Sequence, residues 1–502
     1  MIGRRRVVVL SVSVACVAGV AVVPPTLAAA EQAPRATALR WAPCADEALA
    51  DGGFECASMK VPQDRRRPAG PTFTLALVRH RASGTSEERI GSLIYNPGGP
   101  GGSGLDTIAG NWDRLPDVVK QRFDLVSWDP RGVNQSSPSL AKEGCRTAWP
   151  QRPLTGPVDW AAVTRRFITD LGAVNRQCER KVGAALEHMG TMEAVADLDR
   201  IRAAVGDEKL TYWGLSYGTR IGYVYALRYP DRVRAIVLDG SIDPASTALS
   251  LTEGGVGPDQ AYGSFADVYP ESNRRWLRVM SVLNRRTVKL ADGQVLDRSV
   301  ALDFVYGFIA QQSAYPVVAT FVDAWHAAIF GTGAAQQEGR EAGAQAVEFQ
   351  RALPNSNAGG VFSVVNCLDY ADRPSTAQVI AAVRQTKRWA PRYGAALALM
   401  FGAGCSGLSV KPDPIPVMTG AGSSLPVLIL GSSRDGSTVV QWTARMSRAF
   451  PRSRTVTYAG GQHVTWGYAG SECVNEVANA YVLDLTLPPT DRACPNSLEV
   501  AQ

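Results

Sequence analysis

The pentapeptide Gly214-Leu215-Ser216-Tyr217-Gly218 constrains the fold of this chain more than any other feature. It follows a strand-like run, 210–213, and leads into a helix-like run, 219–229. A serine on a sharp turn between strand and helix points its hydroxyl out of the fold, and flanking glycines let the backbone pass tightly. The pentapeptide also arises by chance in glycine-rich chains as a plain structural turn. Its setting here predicts instead that Ser216 is a nucleophile.

Short apolar runs bounded by turns recur before and after this pentapeptide. They cover residues 92–95, 123–128, 234–240, 425–431 and 454–458. Such runs alternating with helical patterns predict an α/β fold with a mostly parallel sheet and right-handed crossovers. Residues 245–420 interrupt this rhythm and are mainly helix-like, so we predict a large helical cap there. The sheet domain would then comprise residues 41–244 and 421–497.

The N-terminus has the pattern of an export signal. Arg4-Arg5-Arg6 precedes an apolar run, 7–23, and Ala28-Ala29-Ala30 offers a small-residue cleavage site. The apolar run is short for a membrane span, which disfavours the alternative of an uncleaved anchor. We therefore expect residues 1–30 to be a signal peptide, cleaved near Ala30. The mature chain would be secreted, without stable membrane association.

The charge balance excludes one class of partner. The 502-residue chain has a formal net charge of +6, and the predicted signal removes three arginines and no acid. The remaining balance is too weak for us to expect a nucleic-acid partner. We expect a monomer.

The cysteines predict a disulfide framework. One of the nine lies in the signal, and an even number remaining in an exported chain predicts four disulfides. Sequence does not fix connectivity, and we predict near-neighbour pairing. The predicted pairs are Cys44–Cys56, Cys145–Cys178, Cys367–Cys405 and Cys473–Cys494. The chain has no C-x-x-C or H-E-x-x-H motif, so we predict no metal site.

A nucleophilic serine needs a base, and the chain has four histidines. His463 follows the last predicted sheet strand within residues 460–464, which is the expected slot in the chain order Ser, Asp, His. We predict that His463 is the base. His80, His188 and His326 fit structural or surface positions better.

The base needs an orienting acid. The loop at residues 432–436 follows a predicted strand and offers one carboxylate, Asp435. The rivals Asp239 and Asp243 lie one strand earlier, and Asp239 could instead brace the loop at its strand end. The chain order favours Asp435.

The third requirement is an oxyanion hole. The backbone N–H of Tyr217, directly after the nucleophile, should supply one donor. We expect the second from Gly99, with Gly98 as the alternative, in the glycine-rich loop at residues 96–104. A phosphate-binding loop is disfavoured because the G-K-[ST] ending and the G-x-G-x-x-G setting are missing. We predict no cofactor.

The motifs together resemble those of a known family. They are Asn96-Pro97-Gly98-Gly99-Pro100-Gly101-Gly102-Ser103-Gly104, Trp128-Asp129-Pro130-Arg131-Gly132, Gly214-Leu215-Ser216-Tyr217-Gly218-Thr219 and Asp239-Gly240. Over about residues 41–495 the chain resembles the secreted tripeptidyl aminopeptidases of actinobacterial type, which are serine exopeptidases related to prolyl iminopeptidases. It departs from the family pattern at Gly436 (usually Pro), Gln462 (usually Gly) and Asn134 (usually Gly). Asn tolerates the left-handed region, so the last turn can survive.

The resemblance implies an α/β-hydrolase fold with a helical cap, and release of short peptides, namely tripeptides, from free N-termini. Such an enzyme needs a carboxylate to receive the α-ammonium group of the peptide substrate. Asp369, within residues 365–370, resembles a family segment of the cap and is our candidate; the alternative is a helix cap or surface acid. Two other functions remain open. One is a secreted carboxylesterase with the same triad, and the other is a non-catalytic protein that binds peptides.

Overall fold

The computed structural model describes residues 39–146, 155–352 and 360–500. All of them belong to one unit, Thr37–Gln502. The predicted signal peptide, residues 1–30, lies outside the described residues.

The described strands form a large sheet and a small hairpin. The strands are β1 (Ala42–Pro43), β2 (Phe54–Pro62), β3 (Thr72–His80), β4 (Gly91–Asn96), β5 (Phe123–Trp128), β6 (Leu210–Leu215), β7 (Val233–Asp239), β8 (Val288–Lys289), β9 (Val295–Leu296), β10 (Leu428–Ser432), β11 (Arg454–Tyr458) and β12 (Arg492–Cys494). The ten-stranded sheet has the order β1-β2-β3-β5-β4-β6-β7-β10-β11-β12. Pairing is antiparallel from β1 to β5 and parallel from β5 to β12. Strands β8 and β9 pair only with each other.

Helices connect the parallel strands and fill the long insertion before β10. They are α1 (Glu47–Asp51), α2 (Gly104–Arg114), α3 (Asp117–Arg122), α4 (Trp160–Val182), α5 (Thr191–Ala204), α6 (Gly218–Arg228), α7 (Gly257–Val268), α8 (Pro270–Leu283), α9 (Arg298–Ile309), α10 (Tyr315–Phe330), α11 (Gly333–Ala352), α12 (Val361–Asp369), α13 (Thr376–Trp389), α14 (Gly394–Ala403), α15 (Val440–Ala449), α16 (Glu472–Asp484) and α17 (Ser497–Val500). Short 3₁₀ helices cover Gly183–His188, Pro230–Arg232, Ser250–Val256, Ala291–Gly293 and Gln312–Ala314.

The central strands are apolar because both faces of the sheet are covered. Every residue of β4, β5 and β6 is buried. Along β6, Tyr212 packs into one core cluster and the next residue, Trp213, into the cluster on the opposite face. Continuous burial with alternating sides is typical of a parallel sheet between helical layers. The predicted α/β fold with a mostly parallel sheet is confirmed.

Residues 245–420 contribute no strand to the ten-stranded sheet in the described part of the chain. They contain helices α7 to α14, and several of these share a core cluster of their own, built around Trp276, Phe304 and Trp325. The division of the chain at residues 244 and 420 into sheet domain and cap stays a prediction.

The predicted disulfide pairing is confirmed at all four bonds. The structure joins Cys44 to Cys56, Cys145 to Cys178, Cys367 to Cys405 and Cys473 to Cys494. In the described ranges, no helix combines the length and the apolar character that a bilayer crossing requires.

Candidate active site

Ser216 lies in the turn between β6 and α6 and has a φ angle of 54°. A residue with a side chain adopts this left-handed conformation at a cost of roughly 1–2 kcal/mol. The Ser216 N–H donates to the main-chain oxygen of Asp239 at 2.9 Å. The turn is so tight that a Cβ on Gly214 would lie 2.5 Å from the carbonyl oxygen of Gly218. The sequence G-x-S-x-G thus forms the expected sharp turn between strand and helix.

His463 and Asp435 meet beyond the carboxyl ends of β11 and β10. His463 Nδ1 lies 2.9 Å from Asp435 Oδ1 and 3.0 Å from Oδ2. The same carboxylate accepts hydrogen bonds from the N–H groups of Ser437 (2.7 Å) and Thr438 (2.8 Å). Thr438 Oγ1 adds a bond of 3.0 Å to Oδ2. The carboxylate of Asp435 is therefore fixed from two sides and oriented towards the imidazole.

Two opposing influences act on the pKa of His463. Burial lowers it, because a charged imidazolium loses its water. The nearby Asp435 carboxylate raises it by charge attraction and by its hydrogen bond, and Asp239 adds a smaller contribution of the same sign. The net effect is a pKa raised above the ordinary histidine value, which makes the imidazole a stronger proton acceptor.

The two rival acids have other partners. The Asp239 carboxylate accepts from the main-chain N–H groups of Thr465 and Trp466 at 2.9 Å. Asp243 is bound to Arg445 Nη1 at 2.7 Å. Of the three carboxylates that the sequence offered, the structure bonds only Asp435 to the ring of His463 among the described residues.

The other histidines lie elsewhere. The ring of His80 stacks on Trp112, with 3.8 Å between the centroids. His188 lies 3.9 Å from Glu193, and His326 packs against Phe330. None of the three is among the described residues that line the cavity at Ser216.

The glycine-rich loop after β4 lies directly against the Ser216 turn. A Cβ on Gly98 would be 2.8 Å from Ser216 Cβ and 3.2 Å from the nitrogen of Tyr217. The Gly98 N–H already donates to Asn96 Oδ1 at 3.0 Å. The N–H groups of Gly99 and Tyr217, in contrast, donate to no other described residue. This difference favours Gly99 over Gly98 as a donor to a bound oxygen atom.

The motif at residues 128–132 holds this loop in place. Asp129 Oδ1 accepts from Ser103 Oγ at 2.6 Å, and Ser103 caps α2. Asn134 has a φ angle of 34° and donates through Nδ2 to Ser103 Oγ at 3.1 Å and to Asp106 at 2.8 Å. The turn therefore survives with Asn134 where the family usually has glycine, as expected from the tolerance of Asn for this region.

The other two departures from the family pattern, Gln462 and Gly436, both contact residues 310–312 at the end of α9. The buried side chain of Gln462 donates to Gln311 Oε1 at 2.6 Å and accepts from the N–H of Gln312 at 2.8 Å. The N–H of His463 donates to the carbonyl oxygen of Ala310 at 2.7 Å. A Cβ on Gly436 would lie 2.9 Å from Ala310. A side chain at residue 436 would therefore displace Ala310 and its hydrogen bond with His463. Sequence reasoning missed these roles, because their partners lie far away in the chain.

A cavity of about 420 Å³ opens at Ser216 and His463. Much of its wall is apolar, and helices of the insertion and α15 contribute to it beside the glycine-rich loop and the Ser216 turn. The apolar residues include Ile242, Leu251, Leu397, Met400, Phe401 and Trp442. Among the described lining residues, Arg220 and His463 are the basic side chains. The phenols of Tyr217 and Tyr306 are the other titratable groups in the described wall. No aspartate or glutamate lines this cavity in the part of the chain that the structure describes.

Asp369 lies behind the cavity wall and not in it. Its carboxylate accepts from Arg220 Nη1 at 2.9 Å and from the N–H (2.8 Å) and Oγ1 (2.6 Å) of Thr191. Thr191 Oγ1 is in turn 2.7 Å from the hydroxyl of Tyr217. The Asp369 side chain has no exposed surface. This placement disfavours the predicted contact with a substrate ammonium group, because a ligand that enters from solvent cannot reach the carboxylate as it stands.

One cluster of possible metal ligands occurs among the described residues, namely Asp64, His188 and Glu193. Its buried member, Glu193, already has cationic partners, since Arg65 Nη1 lies 2.9 Å and Arg131 Nη1 3.4 Å from its carboxylate. These arginines supply the positive charge that a metal ion would otherwise supply.

Comparison with known proteins agrees with the fold. A family model described as alpha/beta hydrolase fold matches residues 91–466. Serine protease Hip1 of Mycobacterium tuberculosis is 30% identical, and the match covers 91% of each chain. Tripeptidyl aminopeptidase of Streptomyces lividans is 29% identical over 93% of this chain and 88% of its own. Carboxylesterase B of Mycobacterium tuberculosis is 28% identical over 88% of this chain and 86% of its own.

The first two relatives match 91% and 93% of this chain, and the family model includes both the glycine-rich loop and His463. The resemblance drawn from the motifs is thereby confirmed. The chain belongs to the α/β-hydrolase family, among the relatives of the tripeptidyl aminopeptidases.

Proposed function

We propose that this protein is an exported serine hydrolase that releases short peptides, namely tripeptides, from substrates with a free N-terminus. The observation that carries the catalytic part is the bond of 2.9 Å between His463 Nδ1 and Asp435, at the cavity that also contains Ser216. The peptide part is supported by the relatives named serine protease and tripeptidyl aminopeptidase.

In the proposed reaction, Ser216 Oγ attacks the scissile carbonyl carbon while His463 takes the hydroxyl proton through Nε2. Asp435 holds Nδ1–H and stabilises the imidazolium that forms. The tetrahedral oxyanion is held by the N–H groups of Gly99 and Tyr217. His463 then returns the proton to the leaving amine, and an acyl group remains on Ser216.

Water completes the cycle. His463 removes a proton from a water molecule, the resulting hydroxide attacks the acyl carbon, and Ser216 recovers its proton as the acid product leaves. The protein groups named supply the nucleophile, the base and the oxyanion donors, so the proposed reaction requires no cofactor.

The helices at residues 245–420 form the proposed cap. Residues of the 3₁₀ helix Ser250–Val256, of α12 and of α14 line the cavity, including Leu251, Phe362 and Met400. A wall built from the insertion can limit how far a peptide extends beyond the acyl position. Export is supported by the four disulfides, which persist in oxidising compartments.

A secreted carboxylesterase with the same triad is the second candidate. One observation favours it, namely that the described cavity wall contains no carboxylate to receive an α-ammonium group. The relative named carboxylesterase B adds support.

An assay of the purified protein on an Ala-Ala-Pro anilide, with free and with acetylated N-terminus, separates the candidates. Cleavage of the free form alone, lost in Ser216→Ala, supports the aminopeptidase. Equal cleavage of both forms contradicts recognition of the ammonium group. Turnover of a p-nitrophenyl ester with neither anilide cleaved supports the carboxylesterase.

A further inference from the structure

We propose that Asp239 is a positioning residue that ties the loop of the base, His463, to the turn of the nucleophile, Ser216. The proposal rests on the proposed roles of those two residues. Asp239 ends β7, in the strand next to β6, and its side chain is fully buried.

The contacts of Asp239 reach both parts of the site. Its main-chain oxygen accepts the Ser216 N–H at 2.9 Å. Its carboxylate accepts the N–H of Thr465 on both oxygens at 2.9 Å, the Thr465 hydroxyl at 3.1 Å and the N–H of Trp466 at 2.9 Å. A single residue thus connects the backbone at Ser216 with the backbone two and three positions after His463.

The loop of His463 needs such an anchor, because its backbone is strained. Val464, between His463 and Thr465, has a φ angle of 55°. A β-branched residue in the left-handed region is an outlier that persists only when its surroundings hold it there. The three donors that converge on Asp239 directly after Val464 provide that restraint.

Asp239 also acts on His463 through its charge. Burial raises the pKa of Asp239 to about 6, while the hydrogen bonds from Trp466 and Thr465 oppose this rise. The Asp239 anion contributes to the raised pKa of His463, after the larger contribution of Asp435. The phenol of Tyr468, which also faces Arg114, is a further titratable group that interacts with the charge of Asp239.

Asparagine cannot replace the carboxylate here. A carboxamide has one acceptor oxygen and an NH₂ group that donates. It would turn its NH₂ towards one of the converging N–H groups and would carry no charge. A role in packing alone would tolerate this nearly isosteric change far better.

The test compares Asp239→Asn with wild type on the best substrate from the assay above. We expect kcat to fall about tenfold or more, since a buried donor loses its acceptor. The acidic limb of kcat/KM should move to lower pH, because His463 loses a neighbouring anion. A kcat within about twofold of wild type, or an unmoved acidic limb in a folded variant, would overturn the proposal.

Two further variants complete the test. Asp231→Asn changes an exposed acid of the same chain segment and should leave kcat and the acidic limb unchanged. Thr465→Val removes one bond and keeps the charge, so kcat should fall about two- to fivefold with KM and the acidic limb unmoved. If Asp239→Asn does not fold, Thr465→Val decides, and an unchanged kcat contradicts the proposal. Full activity of Ser216→Ala would instead refute the proposed nucleophile.

Discussion

The guanidinium group of Arg220 donates to the carboxylate of Asp369 across 2.9 Å, where neither side chain is more than 2% exposed. Arg220 belongs to α6, the helix after the proposed nucleophile, and Asp369 ends α12 in the insertion. The rings of Tyr217 and Tyr370 lie about the guanidinium at 5.2 Å and 4.8 Å. The pair therefore joins α12 to α6, next to the cavity that Arg220 lines.

Removal of one member of this pair should destabilise the protein. Asp369→Asn leaves the Arg220 charge buried without its partner, and we expect the free energy of unfolding to fall by about 3 kcal/mol. Urea unfolding followed by tryptophan fluorescence measures the change. Glu271→Gln, which breaks the exposed pair with Arg274, is the matched control and should leave the urea midpoint unchanged. A rise in KM for free-amine peptides alone would instead restore the ammonium-binding role of Asp369.

Substitution of Ser216 by glycine should stabilise the protein relative to Ser216→Ala, although both variants lack the nucleophile. Glycine adopts the φ angle of 54° without a Cβ penalty, so we expect a gain of about 1 kcal/mol. Thermal unfolding of the two variants measures the difference. Equal stability would show that the turn carries no strain at this residue.

The raised pKa of His463 predicts the pH dependence of activity. The base works only when neutral, so kcat/KM should rise with pH through a midpoint above 6.5, the ordinary histidine value. Asp435→Asn removes the anion that raises this pKa, and its midpoint should lie lower, at a much reduced rate. A pH profile of each enzyme measures both midpoints. A wild-type midpoint below 6.5 would contradict the electrostatic reading of the site.

The Cys367–Cys405 disulfide should matter for activity as well as stability. It connects α12 with the turn after α14, and both helices line the cavity. Replacement of both cysteines by serine should lower the free energy of unfolding by about 4 kcal/mol and reduce kcat/KM. The double replacement at Cys44–Cys56 is the control, with a loss of about 3 kcal/mol. Because neither Cys44 nor Cys56 lines the cavity, kcat/KM of this control variant should not change.

The sequence was sufficient where local patterns carry the information. Strand β5 and strand β11 have the predicted bounds, because a buried strand between turns is recognisable from its own residues. The contact between Asp435 and His463 followed from chain order, since carboxyl ends of neighbouring parallel strands meet at one edge of the sheet.

Contacts across long stretches of chain could not be predicted in this way. Gln462 and Gln312 are 150 residues apart, and Arg220 and Asp369 are 149 apart. The periodicity of apolar residues along the chain does not indicate which distant residue a side chain will contact. Asp369 is an example. Its segment resembles the family, but its contacts in the folded protein place its carboxylate behind the cavity wall.

The hydrogen bonds that join Gln462 and His463 to residues 310–312 give the proposed base, His463, a second support besides Asp435. A displacement of the end of α9 would also displace the main chain of His463, because the two are hydrogen-bonded. The position of the proposed base therefore depends on the position of the C-terminal end of α9, a helix that also contributes Tyr306 to the cavity wall.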